Sequence, residues 1–506
     1  MTDAENGVSD VPAANGHSEV AVEDRDRANE ERVKANEHFK QKHYGAAIDG
    51  YTRALELDPD SPTVLSNRSF AHLRLEEYGS AVADADAAIA LDPKLPKGYY
   101  RRGDANFALG NFKKARADFL KAAKLAPKDV DLRRKLAEAE RIVKRMRFEE
   151  SLSVPEAEVI PVSQTIDLTT MTVEDSYDGP RLEGSDEEGY TITEGFVSAM
   201  LERFREQKKI HTRFAFEIVM GALRVFQQLP TLVDVDIPSG ESFTVCGDVH
   251  GQFYDLLNIF ELNGVPSTSK PYLFNGDFVD RGSFSAEVIL TLFAYKWLLP
   301  QHIHLARGNH ESRSMNSIYG FDGEVKAKYN GLLVELFREV FCHLPLAHCL
   351  NSKVLVVHGG LFSQDGVTLD DLRKVDRNME PPGEGLMCEM LWSDPQPQQG
   401  RSPSKRGVGV AFGPDVTKRF LSENNLDLIV RSHEVKDEGY EIEHDGYLIT
   451  IFSAPNYCDQ MGNKGAFITF KGDDLTPQFT QYSAVSHPSV RPMQYAGGMM
   501  SQLMGM

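Results

Sequence analysis

The sequence predicts two folded units of different class. An all-α helical-repeat domain occupies the N-terminal third, and an α/β domain of two packed mixed β-sheets flanked by helices follows. Three observations carry this. LDP (57–59), LDP (91–93) and LAP (125–127) recur every 34 residues. From about residue 191 the pattern changes to short apolar, β-branched runs between helical stretches. Five of those runs end directly before segments rich in Asp, His and Asn, four of them glycine-bearing. A chain of 506 residues is also too long for one ordinary domain.

The repeat is supported by more than its prolines. Tyr44, Tyr78 and Phe112 keep the same period, as do Ala47, Ala81 and Ala115, and Ala54, Ala88 and Ala122. This pattern resembles the tetratricopeptide repeat, a helix–turn–helix unit. Its small residues let paired helices approach closely, and Pro59, Pro93 and Pro127 stop one repeat before the next. Three repeats are expected over 28–129. A capping helix over Asp131–Glu150 places Leu132, Leu136, Ala139, Ile142, Val143 and Met146 near one face and completes the unit at 28–150. Residues 1–27 read as a disordered acidic tail and residues 491–506 as a C-terminal tail. Residues 151–190, with Pro155, Pro161, Pro180 and many acids, read as an acidic linker.

A stack of such repeats presents a concave face suited to peptides. Arg32 and Asn36 lie one turn apart on the first helix, Asn67 on the third, and Lys97 and Arg101 one turn apart on the fifth, with Arg74 nearby. The set resembles the two-carboxylate clamp of tetratricopeptide co-chaperones. That resemblance implies a C-terminal peptide of a heat-shock protein 90-type chaperone as partner. Arg32 stands where those proteins usually carry Lys, and it offers a planar fork in place of a point charge.

In the α/β region, helices are expected at 194–209 and 212–228. Strands are expected at FTVC (243–246), YLFN (272–275), HIHLA (302–306), VLVVH (354–358), LDLIV (426–430) and YLITIF (447–452). The first five lead into GDVHGQ (247–252), GDFVDRG (276–282), RGNHE (307–311), HGGL (358–361) and RSHE (431–434). These supply Asp248, His250, Asp277, Asn309, His358 and His433. The oxygen and nitrogen ligands suffice for two metal ions with one carboxylate shared, a pair suited to splitting a phosphate ester with water. Hard oxygens with imidazoles favour Mn, Fe or Zn over Cu or Ca.

Together with LWSDPQPQQGRSPSKRGVG (391–409) and SAPNYCDQMGNKGAF (453–467), these motifs resemble the metallophosphoesterase superfamily. They are more similar still to the PPP family of serine/threonine protein phosphatases, over about 190–490. Three repeats ahead of such a domain resemble the repeat-bearing branch of that family. The resemblance implies two divalent or trivalent cations per catalytic domain, with Asp248, His250 and Asp277 on one. Asp277, Asn309, His358 and His433 hold the other, and Asp277 bridges. Two adjacent cations lower the pKa of a shared water, so phosphoserine and phosphothreonine are expected to be hydrolysed by direct attack of metal-bound hydroxide. Arg281 and Arg406 are expected to grip the phosphoryl oxygens, with Asn309 beside them. His310 is expected to protonate the leaving oxygen, with Asp280 orienting its ring. Tyr457 is expected to line the cleft.

The family resemblance further implies that the repeats cover the cleft and keep basal activity low. Glu76, in the turn of the second repeat, is the candidate to pair with the phosphate-gripping arginines. Other classes are disfavoured. A net charge of −20, with a basic excess only in 28–150, argues against a nucleic-acid binder. A phosphodiesterase or nuclease on the same metal core is disfavoured because GDFVDRG, SDPQ and SAPNY match the phosphatase branch. A catalytically dead chaperone-binding scaffold is disfavoured because every expected ligand, acid and arginine is present. No run of about twenty apolar residues argues for a membrane span. Five cysteines, odd in number and outside CxxC pairs, read as free thiols, so cytoplasm and nucleus are the expected compartments.

Overall fold

The computed structural model describes residues 22–152 and 160–496. Most of the expected tail (1–21), part of the expected linker (153–159) and the Met-rich end (497–506) lie outside the described residues. The repeat domain is α1 (Val22–Lys40), α2 (Tyr44–Leu57), α3 (Pro62–Arg74), α4 (Tyr78–Leu91), α5 (Pro96–Ala108), α6 (Phe112–Leu125) and α7 (Val130–Leu152). Helix α1 reaches into the stretch expected as tail. Glu23 and Asp24 in its first turn complement the positive end of the helix dipole. Pro62 and Pro96 open α3 and α5, where a missing N–H costs nothing. The small residues of the repeat, Ala47, Ala54, Ala81, Ala88, Ala115 and Ala122, are fully buried between paired helices.

The turn inside each repeat holds one residue in the left-handed region: Lys42 (φ 65°), Glu76 (φ 63°) and Gly110 (φ 73°). These positions are 34 residues apart, so the fold demands the conformation whatever side chain stands there. Only glycine adopts it without penalty.

The catalytic region stacks a five-stranded sheet on a six-stranded one. The first has the order Gln478–Tyr482, Gly465–Lys471, Ser242–Cys246, Tyr272–Phe274, Ile303–Leu305. The second has the order Tyr440–Glu443, Leu448–Ile451, Leu428–Arg431, Val354–Val357, Ala347–Leu350, Leu232–Val235. Both are mixed. Ser242–Cys246, Tyr272–Phe274 and Ile303–Leu305 run parallel, whereas Gly465–Lys471 pairs antiparallel with Ser242–Cys246. Val245, Leu273, Val356, Val430, Ile449 and Ile468 fill the space between the sheets. The parallel strands therefore end on one edge, where their loops converge. The helices expected at 194–209 and 212–228 are Glu194–Arg205 and Thr212–Phe226. The first stops early because Gln207 turns left-handed (φ 59°).

Residues 160–190 are not a free tether. Ile166, Leu168, Met171, Val173 and Tyr177 pack against the helical core of the catalytic domain. Ser163 donates to Glu339, and the Arg213 guanidinium ties Leu168 O and Asp186 together. The linker is thus ordered where it lies on the next domain. The domains also share an apolar cluster, in which Tyr78, Phe107, Ala108 and Phe112 meet Met315, Ile318, Tyr319 and Met493. The Met493 N–H donates to Arg281 O at 2.7 Å, so 491–496, expected as a tail, packs against the catalytic domain. No described helix is long and apolar enough to cross a membrane, and all five cysteines are free.

Candidate active site

The five ligand loops meet at one sheet edge, in a cleft of about 670 Å³ walled on its far side by the repeat domain. Asp248, His250, Asp277, Asn309, His358 and His433 are all buried there. His250 Nε2 lies 3.5 Å from Asp277 Oδ2 and 3.8 Å from Asp248 Oδ2. His358 Nε2 lies 3.4 Å from the same Asp277 oxygen. The Asn309 amide stands within 3.3 Å of Asp277, His358 and His433. Asp277 belongs to two groups whose ligand atoms fall within 4.8 Å of one another, one with His358 and His433 and one with His250 and His310. The second group has His310 where the sequence pointed to Asp248, which lies just beyond it.

The loops spend backbone strain to aim these groups. His250, Asp277, Asp280, Arg281 and His433 all have positive φ, between 41° and 72°. Gly308 is required because an added Cβ would lie 2.2 Å from Asp277 Oδ1. Two of the imidazoles are fixed from behind. The His358 and His250 Nδ1 atoms bond Asn275 O (2.8 Å) and Val279 O (3.0 Å), so their Nε2 lone pairs face inward.

The residues fit a cation pair. Burial and the neighbouring Asp277 push Asp248 up to about 7. Burial opposes charge on His358, yet Asp277 and Asp248 pull it up to about 9. Burial would also raise Asp277, but His358 and His310 outweigh it and hold the carboxyl below its usual range. Left to itself, the cluster retains protons where bound cations would supply positive charge. His433 Nε2 is buried with no hydrogen-bond partner among the described residues.

His310 Nδ1 lies 2.9 Å from Asp280 Oδ2, leaving Nε2 free toward the cleft. Burial opposes protonation of this ring, but Asp277 and Asp280 prevail and raise it. Arg406 Nε donates to Asp394 (2.6 Å) and its Nη2 to His433 O (2.7 Å). The Tyr457 ring packs 5.1 Å from that of His250. Arg281 is fully buried, its guanidinium 3.8 Å from the Tyr319 ring centre. Its Nη2 donates to Glu76 Oε2 at 2.5 Å, while Nε and Nη1 have no hydrogen-bond partner among the described residues.

Four residues escaped the sequence reading. Glu311 accepts from the Asp277, Phe278 and Gly308 N–H groups at 2.8–2.9 Å and shapes the shared-ligand loop. Asn316 donates to Asp280 Oδ2 at 3.0 Å. Asp394 anchors both Arg406 and Arg431. Tyr319 stacks on Arg281 and bonds Tyr78 of the repeat domain, OH to OH, at 2.9 Å. Glu311, which closes the RGNHE motif, and Asp394, inside SDPQ, left a signal; Asn316 and Tyr319 left none.

On the repeat domain, Asn36 Oδ1 accepts from Tyr51 OH (2.7 Å) and Asn67 Nδ2 (3.4 Å). Arg101 lies over the Phe70 ring at 3.5 Å, and Arg74 stacks between Tyr44 and Phe70 at 5.5 Å from each. Lys97 is exposed. Arg32 is turned toward Asn29, 2.6 Å away.

Residues 242–437 match the family model of the calcineurin-like phosphoesterases. Residues 32–96 and 96–129 match tetratricopeptide repeats, and 136–234 match the PPP5 TPR repeat region. Fold and site thus define a metallophosphoesterase with a dinuclear metal centre and a repeat domain ahead of it. The chain is 56% identical over 527 residues to serine/threonine-protein phosphatase 5 of Arabidopsis thaliana, covering 94% of this chain and 97% of that one. It is 53% identical over 470 residues to the Homo sapiens serine/threonine-protein phosphatase 5, covering 93% of each. A solved protein serine/threonine phosphatase from Saccharomyces cerevisiae is 43% identical with a TM-score of 0.58, covering 60% of this chain and all of that one. The chain belongs to the serine/threonine-protein phosphatase 5 family and is a protein-serine/threonine phosphatase.

Proposed function

We propose that this phosphatase is held shut by its own repeat domain and opened by an acidic chaperone tail. The observation that carries the reading is the Glu76–Arg281 ion pair of 2.5 Å, made by a residue in a strained turn with a residue at the reaction centre. Asp248, His250 and Asp277 would hold one cation and Asp277, Asn309, His358 and His433 the other, with Mn, Fe or Zn as the fitting metals. When bound, the pair supplies Lewis acidity and a water acidic enough to attack phosphorus near neutral pH. Once Glu76 withdraws, Arg281 turns its fork to the phosphoryl oxygens, and Arg406, braced by Asp394, grips them from the other side. His310 gives its Nε2 proton to the departing serine or threonine oxygen while Asp280 holds Nδ1. Tyr457 closes the wall beside His250 and helps keep bulk water out.

The clamp reading rests on Asn36 and Asn67 within bonding reach of each other, with Lys97 and Arg101 on the neighbouring helix. These residues take the terminal carboxylate and an acidic side chain of a heat-shock protein 90-type tail. Arg74 stacks on the same Phe70 ring as Arg101 and lies two residues before Glu76, which gives the clamp a route to the lock. A peptide that binds the open form more tightly shifts the equilibrium toward it. Free thiols throughout support a reducing compartment such as cytoplasm or nucleus. In the full chain, Glu76→Ala is expected to raise basal turnover of a phosphoserine peptide ~10-fold. A variant no more active than wild type removes the lock. Calorimetry with an acidic C-terminal peptide is expected to show binding that weakens with salt and vanishes in Arg101→Ala. Undiminished affinity after amidating the peptide's C-terminus would refute the clamp.

A further inference from the structure

The repeat domain touches the catalytic domain at a second point, beside the other phosphate-gripping arginine. Gly79, in the first turn of α4, lies against the 404–407 loop. A Cβ at this position would stand 2.5 Å from Gly407 N, 2.8 Å from Gly407 Cα and 2.9 Å from Ser404 O. All three are main-chain atoms, which cannot swing aside as a flexible side chain could. The next N–H, that of Ser80, donates to Lys405 O at 3.0 Å. First-turn N–H groups have no acceptor within their own helix, so domain closure supplies this one. Lys405 Nζ also reaches Glu77 at 3.2 Å. Arg406 sits in the middle of the gripped loop.

The repeat fold itself does not ask for glycine there. The equivalent position of the first repeat is Gly45, where an added Cβ meets nothing within 4 Å, and that of the third is Lys113. Helices favour most other residues over glycine. What demands glycine at 79 is the approach of two backbones.

We propose that Gly79 is the latch of the closed form. Its missing side chain lets α4 dock main chain to main chain on the loop that carries Arg406. This docking, and not the Glu76–Arg281 pair alone, holds the domains together. The inference rests on the autoinhibitory reading above.

The test uses the full chain. Gly79→Ala keeps Glu76 and every catalytic group and puts a better helix former into α4. It is expected to raise basal turnover of a phosphoserine peptide ~10-fold and to increase the radius of gyration in solution scattering. Gly45→Ala, in the equivalent turn, is expected to stay at the wild-type level in both. Affinity for an acidic C-terminal peptide at or above the wild-type level verifies that the repeat domain is folded in each variant, since an opened form binds the peptide more tightly. If Glu76→Ala activates and Gly79→Ala does not, the latch is overturned while autoinhibition stands. If neither activates, autoinhibition falls and the latch with it. Wild-type protein gives an independent reading by hydrogen exchange. The Ser80 amide is expected to be protected, and exchange at the rate of an unstructured amide overturns the proposal.

Discussion

The catalytic domain buries two groups of imidazoles, and only one of them is built for metal. In the cleft, His250, His310, His358 and His433 surround Asp248 and Asp277. Elsewhere in the domain, the His304 and His348 rings meet edge to face at 5.4 Å. Lys296 is buried near them and donates to Pro300 O and Ile303 O at 2.8 and 2.7 Å. Both ring nitrogens of His348 lack a partner, and none of these three residues forms an ion pair among the described residues. Burial drives Lys296 down to about 7, and burial with the neighbouring positive charge of Lys296 drives His304 down to about 3 and His348 well below its usual value. The difference teaches that buried histidine does not mark a metal site. Buried carboxylate in excess of buried positive charge does, because only that combination gains by taking in a cation.

The contrast breaks most directly at its shared carboxylate. Asp277→Asn removes a charge common to both cation positions. It is expected to lower turnover of a phosphoserine peptide about 10³-fold or more, on the order of 4 kcal/mol in the barrier. Elemental analysis is expected to show loss of bound metal, and two tightly held ions per chain in this variant would contradict the rule. The next effect separates a ligand from an acid. His310→Asn is expected to cost about 10²–10⁴ in rate on a phosphoserine peptide. The loss should be much smaller on p-nitrophenyl phosphate, whose leaving group needs no proton. Equal losses on the two substrates would rule out proton donation.

The smallest effect belongs to the second cluster. Above pH 6.5 its histidines are neutral in folded and unfolded chains alike and contribute nothing to the pH dependence of stability. As pH falls below 6.5, the unfolded chain takes up a proton on His304 that the folded one refuses until about pH 3, so stability declines. His304→Phe replaces the ring beside Phe243 with an apolar one. It is expected to lose about 2 kcal/mol less stability than wild type between pH 7.5 and pH 5. Urea unfolding at both values measures this, and an identical decline in the two proteins would show that the cluster is not the titrating element.

Much of the active site could be read from the chain because its ligands lie in short loops directly after apolar runs. A strand end fixes position, and a glycine marks four of the five turns. The repeats were legible for a similar reason, since each helix pair reuses the same alanine and aromatic contacts. Glu76 was singled out by the family resemblance and by its place in the turn before Tyr78, a signal that the 34-residue period alone does not carry. Other features depend on contacts between distant segments. Tyr319 and Tyr78 are 241 residues apart, and neither has a neighbour in sequence that announces the bond. The docking of 160–190 relies on Ile166, Leu168, Met171 and Tyr177, spaced too irregularly for a helical or strand period. Asp394 looked like part of a motif and not like the brace of Arg406, because the arginine follows it by twelve residues across a separate small sheet.

If the Glu76–Arg281 pair holds the cleft shut as proposed, the left-handed turn at Glu76 sets stability against control. A residue other than glycine in that conformation costs roughly 1–2 kcal/mol, and the third repeat avoids the cost with Gly110. Glu76→Gly would relax the turn and remove the carboxylate in one step. A selection that rewarded only heat resistance of the repeat domain would therefore enrich an enzyme that no longer waits for its activator. Retention of glutamate at this position would then be paid for in folding free energy and visible only to a selection that penalises untimely dephosphorylation.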